Sequence, residues 1–188
     1  MEPRYRLHYA PDNASLVIRL ALDSLGLPYD TALVDRAAQA QKSPKYRALN
    51  PNGLIPALET PDGPMFETAA ILLWLADRYG QLAPPPDSPD RARFLSWLFF
   101  VSNTVHPALR VTFYPGQYIG HDSAAQTRLR AHMQGEIARQ LDTIEAEAGK
   151  RQPWLCGATS SALDLYLACL LRWAKLYPAP QGGAGWVT

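Results

Sequence analysis

Three consecutive prolines interrupt this chain near its middle. Residues 83–89 read Ala-Pro-Pro-Pro-Asp-Ser-Pro. Each proline fixes φ and lacks an N–H donor, so this stretch can form neither a helix nor a central strand. We therefore predict a stiff linker at residues 81–90, which separates a first domain at residues 1–80 from a second domain at residues 91–188.

The first domain alternates between strand and helix patterns. Residues 5–9 alternate with period two, residues 15–25 form an apolar helical pattern closed by Gly26, and residues 29–34 form a second strand pattern. A helical crossover between two strands predicts a parallel pair with a right-handed connection. Residues 57–59 and 65–66 flank a turn at residues 60–63, which predicts an antiparallel hairpin, and a helix at residues 67–79 ends at Gly80.

The second domain has only helical patterns. We predict helices at residues 91–104, 123–148 and 161–177. Ser123 and Gln126 have the spacing of a capping box at the start of the second of these helices. The chain is therefore predicted to have an α/β domain of order βαβ-ββα followed by an all-helical domain.

Composition excludes several classes of partner. The 18 basic and 17 acidic residues leave a net charge of +1, which gives no broad field for nucleic acid or an anionic membrane. Apolar stretches fall short of the ~20 residues of a membrane helix, so we expect a cytoplasmic protein. Two cysteines, Cys156 and Cys169, suit a reducing compartment as ordinary buried thiols. No metal is expected, because no ligand spacing connects the histidines His8, His106, His121 and His132.

Three stretches carry a family resemblance. Residues 50–58 read Asn-Pro-Asn-Gly-Leu-Ile-Pro-Ala-Leu, and residues 66–79 begin Phe-Glu-Thr-Ala-Ala-Ile-Leu. They resemble the cytosolic, bacterial-type glutathione S-transferases, in which a proline precedes the third strand and a Glu-Ser or Glu-Thr pair opens the third helix. The segment from Ser161 to Asp164 resembles the helix-capping motif of that family's second domain.

The resemblance covers most of the chain and implies both fold and function. It implies a thioredoxin-like domain with a mixed four-stranded sheet, followed by a helical bundle. It also implies a homodimer that transfers the glutathione thiolate to a hydrophobic electrophile or performs a related glutathione-dependent reaction. The alternative is a non-catalytic glutathione-binding or protein-interaction member of the same fold.

Five residues are the glutathione-binding candidates that the resemblance supplies. A cis peptide before Pro56 exposes the amide and carbonyl of Ile55 to the cysteinyl backbone of the tripeptide. At the start of the third helix, Thr68 and free amides receive the γ-glutamyl carboxylate, and Glu67 pairs with the ammonium group. Lys42 is a candidate partner of the glycine carboxylate. The alternatives are a trans turn proline, a plain helix cap and a solvated lysine.

The residue that activates the thiol does not follow the family pattern. A thiol of pKa ~8.5 must have its pKa lowered by ~1.5–2 units, which corresponds to ~2–3 kcal/mol. A helix dipole alone supplies only ~0.3–1 kcal/mol, so a hydrogen-bond donor is expected near the start of the first helix. Alignment puts Ala14 where the cysteine-type group has its cysteine, and Asp12 where the serine-type group has its serine. The remaining candidates are Ser15, Asn13 and Tyr9. Ser15 is the first choice, although a helix-capping role explains it equally well.

A third set of residues is predicted to contact the second substrate. His106 resembles a histidine that lines the cleft opposite the thiol in the cysteine-type group, where a neutral imidazole steers an electrophile or transfers a proton. The alternative is a partly exposed histidine at a helix end. Trp97, Phe100, Tyr114 and Tyr118 are candidates for the wall of an apolar pocket, or simply core aromatics.

Overall fold

A computed structural model describes residues 5–150 and 153–176 of the 188-residue chain. The chain separates into two compact units, Met1–Ser88 and Pro89–Thr188. The division falls inside the proline-rich stretch at residues 81–90 that was predicted as the linker.

The first unit is built on a four-stranded sheet. Its strands are β1 (Tyr5–Tyr9), β2 (Tyr29–Leu33), β3 (Ala57–Thr60) and β4 (Gly63–Phe66). They lie in the order β2-β1-β3-β4, with β1 parallel to β2 and antiparallel to β3, and with β3 antiparallel to β4. The predicted βαβ unit, hairpin and mixed sheet are therefore confirmed.

Helices cover this sheet. They are α1 (Ser15–Ser24), a 3₁₀ turn (Ala40–Lys42), α2 (Pro44–Arg47) and α3 (Thr68–Tyr79). Helix α1 packs against β1 and α3. The period-two pattern of β1 buries Tyr5 and Leu7 completely, which is the burial expected of a strand with one face in a core. Gly80 ends α3 in the left-handed conformation, with φ of 62°, as predicted.

The second unit is helical throughout its described part, apart from an isolated bridge between Trp154 and Gly157. Its elements are α4 (Arg91–Phe100), a π turn (Val101–Val105), α5 (His106–Phe113), α6 (Gly116–Ile119), α7 (Ser123–Ala148) and α8 (Ala162–Leu176). The predicted bounds of α7 are confirmed. The predicted end of the last helix, at residue 177, lies outside the described residues.

The predicted end of the first of these helices was wrong. The helical run does not stop at residue 104 but continues through the π turn into α5 and ends at Phe113. In the π turn, the N–H of His106 donates to the carbonyl of Val101, five residues earlier. Pro107 has no N–H to donate, and the wider turn allows the helix to pass it.

The cap of α7 also differs from the prediction. Asp122, not Ser123, is the capping residue, because its carboxylate accepts the N–H groups of Ala124 at 2.9 Å and Ala125 at 3.1 Å. The side-chain amide of Gln126 donates to the carbonyl of Gly120 and so is not part of a capping box. Aspartate and serine are comparable caps, so the order Asp-Ser leaves the choice open at the level of sequence.

Asp164 caps the start of α8. The carboxylate of Asp164 accepts the N–H and the hydroxyl of Ser161, both at 2.7 Å. It also accepts the N–H of Leu155 at 3.1 Å, which ties the preceding loop to the helix. Ser161 and Asp164 therefore form a hydrogen-bonded cap at the start of α8.

Cys156 and Cys169 are both buried thiols, as predicted. Burial raises the pKa of Cys169 to about 11, so this thiol is protonated at neutral pH. Within the residues that the structure describes, no helix is long and apolar enough to cross a membrane. The same residues contain no cluster of three His, Cys, Asp or Glu side chains suited to a metal ion.

Candidate functional site

The loop before β3 presents unpaired main-chain groups. The Ile55–Pro56 peptide bond is cis, as the resemblance implied. The side chain of Ile55 packs on a small cluster that includes Val34, Tyr46 and Ala57. Its main-chain N–H and carbonyl form no hydrogen bond with any described residue. An anchored side chain and free main-chain groups make this residue suitable for pairing with an extended peptide.

Two buried side chains hold this loop in place, and sequence reasoning missed both. The carbonyl of Leu54 accepts the hydroxyl of Tyr46 and the side-chain amide of Asn50, each at 2.8 Å. The side-chain oxygen of Asn50 accepts the N–H of Asn52 at 3.0 Å, and Asn50 is only 2% exposed. Burial raises the pKa of Tyr46, so its hydroxyl stays protonated and able to donate. The Asn-Pro-Asn-Gly turn signal pointed to the loop but not to its contacts.

Gly53 brings the loop against the 3₁₀ turn. It has φ of 62°, and its N–H donates to the carbonyl of Asn50 at 2.9 Å. A Cβ at this position would lie 2.9 Å from the carbonyl oxygen of Gln41, which is too close for any side chain. Lys42, which follows Gln41 in the chain, is exposed, and its ammonium group makes no ion pair within the described residues. The structure therefore places Lys42 beside the loop that carries Ile55.

Helix α3 begins with several free hydrogen-bonding groups. Glu67 is its N-terminal flanking residue, with φ of 69°, and its exposed carboxylate makes no capping hydrogen bond. The first helical hydrogen bond runs from the N–H of Ile71 to the carbonyl of Glu67. Thr68 is a buried residue, but its hydroxyl makes no hydrogen bond with the described residues, so neither predicted residue caps the helix with its side chain. The amides here and the hydroxyl can receive an anionic group.

The start of α1 gives the three thiol-activating candidates different surroundings. Ser15 is 2% exposed, and its hydroxyl donates to the carbonyl of Ala10 at 3.2 Å and accepts the N–H of Ala10 at 3.3 Å. The side-chain oxygen of Asn13 accepts the N–H of Ser15 at 3.3 Å, and its NH₂ group has no partner within the described residues. The ring of Tyr9 lies under the guanidinium of Arg19, 4.8 Å from the ring centroid.

His106, in the second unit, lies among aromatic residues that the sequence did not indicate. Its Nδ1 shares a hydrogen bond of 2.7 Å with the hydroxyl of Tyr166. Its ring packs against Trp173, with centroids 5.5 Å apart. Burial and, to a smaller extent, the positive charge of Arg110 lower the pKa of His106 to about 4, so the imidazole is neutral at pH 7. A neutral imidazole fixed by a phenol is suited to donate or accept one further hydrogen bond.

The residues predicted to form an aromatic wall contact one another or their neighbours in the second unit. Trp97 packs edge-to-face on Phe100, with centroids 5.4 Å apart. Tyr114 lies beside the ring of Phe113, and Tyr118 accepts a hydrogen bond from Arg110 at 2.7 Å. The residues packed directly on His106 are those of α8 described above.

The fold and the loop together define a class of protein. A family model described as the glutathione S-transferase N-terminal domain matches residues 14–78, and one described as the C-terminal domain matches residues 125–187. A glutathione transferase structure from Burkholderia graminis, with two glutathione molecules bound per subunit, superposes with a TM-score of 0.79 and 30% identity, and covers 90% of this chain and 72% of that one.

Relatives among characterised proteins agree. Glutathione S-transferase GST-4.5 of Xanthomonas campestris pv. campestris is 30% identical over 171 residues, which cover 90% of this chain and 82% of the relative. Maleylpyruvate isomerase of a Ralstonia species is 30% identical over 166 residues, which cover 85% of this chain and 77% of the relative. The chain belongs to the glutathione S-transferase family.

Proposed function

We propose that this protein is a glutathione S-transferase that uses glutathione as co-substrate and joins its sulfur to an electrophilic carbon, or performs a related glutathione-dependent reaction. One observation carries the proposal: the first unit holds unpaired main-chain groups at Ile55 and unpaired donors at the start of α3. Together they complement a peptide backbone and an amino acid carboxylate. The bound glutathione of the Burkholderia graminis relative supports the same ligand for this chain.

The three parts of glutathione each have a proposed partner. The N–H and carbonyl of Ile55 pair with the cysteinyl main chain, as an added strand pairs with a sheet edge. The amides and hydroxyl at Thr68 bind the γ-glutamyl carboxylate, and Glu67 pairs with the adjacent ammonium group. Lys42, exposed beside the Ile55 loop, pairs with the glycine carboxylate.

Asn13 is the proposed donor to the glutathione sulfur. Its oxygen is held by the N–H of Ser15, which leaves the NH₂ group as a fixed donor at the start of α1. A hydrogen bond to a charged acceptor contributes about 1.5–3 kcal/mol, and the helix dipole adds about 0.3–1 kcal/mol. Their sum covers the ~2–3 kcal/mol needed to lower a thiol pKa by ~1.5–2 units. The hydroxyl of Ser15 is already engaged with Ala10.

The test compares Asn13→Ala with Ser15→Ala. Thiolate absorbance of bound glutathione is followed as pH is raised, and kcat/KM is measured with a common electrophile. We expect Asn13→Ala to raise the bound thiol pKa and to lower kcat/KM by about 10-fold to about 100-fold, in line with a charged hydrogen bond. Ser15→Ala should leave the thiol pKa unchanged. The reverse pattern would assign activation to Ser15, and no shift in either variant would refute both.

His106 is the proposed contact for the second substrate. Its pKa of about 4 keeps the imidazole neutral across the physiological range, so it can exchange a hydrogen bond without adding charge. Replacement by Asn is expected to change KM for the electrophile and leave KM for glutathione unchanged. A change confined to glutathione would contradict this role.

A glutathione-dependent isomerase is the second candidate function. The Ralstonia relative is named as a maleylpyruvate isomerase, and the accessible guanidinium of Arg110 suits an acidic substrate. Isomerisation regenerates glutathione, whereas transfer consumes it. Incubation with maleylpyruvate, with free thiol and substrate followed separately, distinguishes the two reactions.

We also propose a homodimer, as is usual for the family. Light scattering at several protein concentrations tests it. A mass that stays at one chain throughout would contradict it.

A further inference from the structure

Arg110 carries a positive charge that no acidic group of the described residues neutralises. Its guanidinium donates to the hydroxyl of Tyr118 at 2.7 Å and to the side-chain oxygen of Gln117 at 3.1 Å. Both acceptors are neutral, and within the described residues Arg110 forms no ion pair. A guanidinium oriented by neutral partners keeps its full charge and its remaining N–H donors for a carboxylate.

A second donor lies one helical turn away. His106 and Arg110 are four residues apart on α5, so their side chains share one face of the helix. The positive charge of Arg110 is near enough to contribute, after burial, to the lowered pKa of His106. When Tyr166 donates to Nδ1, the proton of the neutral imidazole lies on Nε2 and is available to a ligand.

A buried indole beside His106 is a further indication of a ligand. Trp173 is 7% exposed, and its ring packs on the imidazole. Its N–H has no acceptor within the part of the chain that the structure describes. A buried donor without an acceptor is unfavourable, so an acceptor atom of a ligand within reach of this N–H would be stabilising.

We infer that Arg110 binds a carboxylate of the second substrate, with His106 as the neighbouring hydrogen-bonding group, so that the preferred electrophile is an unsaturated acid. This inference rests on the proposed glutathione-dependent activity. It differs from the expectation of a purely hydrophobic electrophile that the family resemblance supplied. A carboxylate of glutathione itself has the same chemistry, and the experiment separates the two sources.

A purely structural role for Arg110 makes a different prediction. Arg110 lies in the last turn of α5, where a positive charge is favourable, and it connects this helix to α6. Loss of that connection would lower stability and affect all substrates alike. Binding of a substrate carboxylate affects only substrates that have one.

The experiment uses two electrophiles that differ in one charge, 3-benzoylacrylic acid and its methyl ester. Each is assayed with the wild-type chain, Arg110→Gln, Arg110→Lys and the control Arg139→Gln, which removes a positive charge from an exposed position on α7. We expect Arg110→Gln to lower kcat/KM for the acid by about 10-fold to about 100-fold, the size expected of a charged hydrogen bond. The ester and KM for glutathione should stay within about twofold, and Arg110→Lys should recover part of the loss.

Other outcomes overturn the inference. Equal losses for acid and ester would show a structural role, and a raised KM for glutathione would assign Arg110 to the tripeptide. Calorimetry gives a readout that does not need turnover: the saturated acid 3-benzoylpropionate is titrated into each variant in the presence of S-methylglutathione. Equal affinity of the wild type and Arg110→Gln would refute the site. If the wild type turns over neither electrophile but binds 3-benzoylpropionate more tightly than Arg110→Gln does, the carboxylate site is supported and the transferase proposal is refuted.

Discussion

Replacing Asn50 by Ala tests whether one buried side chain holds the glutathione loop. The substitution removes the donor to the carbonyl of Leu54 and the acceptor for the N–H of Asn52. Because Asn50 is 2% exposed, water cannot replace either hydrogen bond without entering the protein. Tyr46 still donates to Leu54, so the loop loses part of its support rather than all of it.

The expected cost follows from these contacts. Two buried hydrogen bonds at about 1 kcal/mol each give about 2 kcal/mol of lost stability. For a chain of this size, that corresponds to a fall in Tm of about 4–8 °C. The loop carries the main-chain groups of Ile55, so we also expect KM for glutathione to rise while the pKa of the bound thiol stays unchanged.

Asn52→Ala is the matched control. The side chain of Asn52 is exposed, and only its main-chain N–H takes part in the loop contacts. Thermal unfolding by circular dichroism and steady-state kinetics with varied glutathione are measured on both variants. If Asn50→Ala unfolds at the wild-type temperature and keeps the wild-type KM, the claim that this side chain supports the site is refuted.

Three further substitutions test individual contacts. Ser15→Ala should lower the free energy of unfolding by about 1 kcal/mol, because its hydroxyl forms hydrogen bonds with Ala10. Urea denaturation measures this value, and an unchanged free energy of unfolding would contradict the prediction. Neutral His106 has a folded pKa of about 4, below its ordinary value of 6.5, so it stabilises the fold above pH 6.5 and this contribution is lost as pH falls toward 4. His106→Asn should flatten the pH dependence of unfolding in that window, and an unaltered slope would contradict the burial of this group. The hydrogen bond from Lys150 and the charge of Arg93 lower the pKa of Glu147, so Glu147→Gln should be destabilising at pH 7, with a difference from wild type that shrinks as pH falls below 4.5.

Most of the fold could be predicted because its signals are local. The alternation in β1 and the glycines after α1 and α3 depend on neighbouring residues alone, and they placed the elements within a few positions. The choice of Asp122 over Ser123 as a cap could not be made, since both residue types cap helices well. The π turn at Val101–Val105 was missed because its residues are weak helix formers and indicate the end of a helix rather than a widened turn within one.

The site was predictable where a motif fixed it and not where packing did. Ile55, Glu67 and Thr68 belong to recognisable stretches, and the structure gives them free hydrogen-bonding groups. The direction of a short side chain is a tertiary property, so the contact of Ser15 with Ala10 had no sequence signal. Likewise, Tyr166 reaches His106 from 60 positions away in the chain.

The extra residue in the π turn determines which way the rest of the helical run faces. Each residue of an α-helix advances by about 100°, so a regular helix through Val101–Val105 would turn α5 by about that angle relative to α4. His106 would then leave Tyr166, while Phe94 and Leu98 stayed buried on α4. In a relative one residue shorter at this point, a regular helix would keep α4 and α5 in the same orientation without the widened turn. A change of one residue in length here would therefore leave the packing of both helices unchanged.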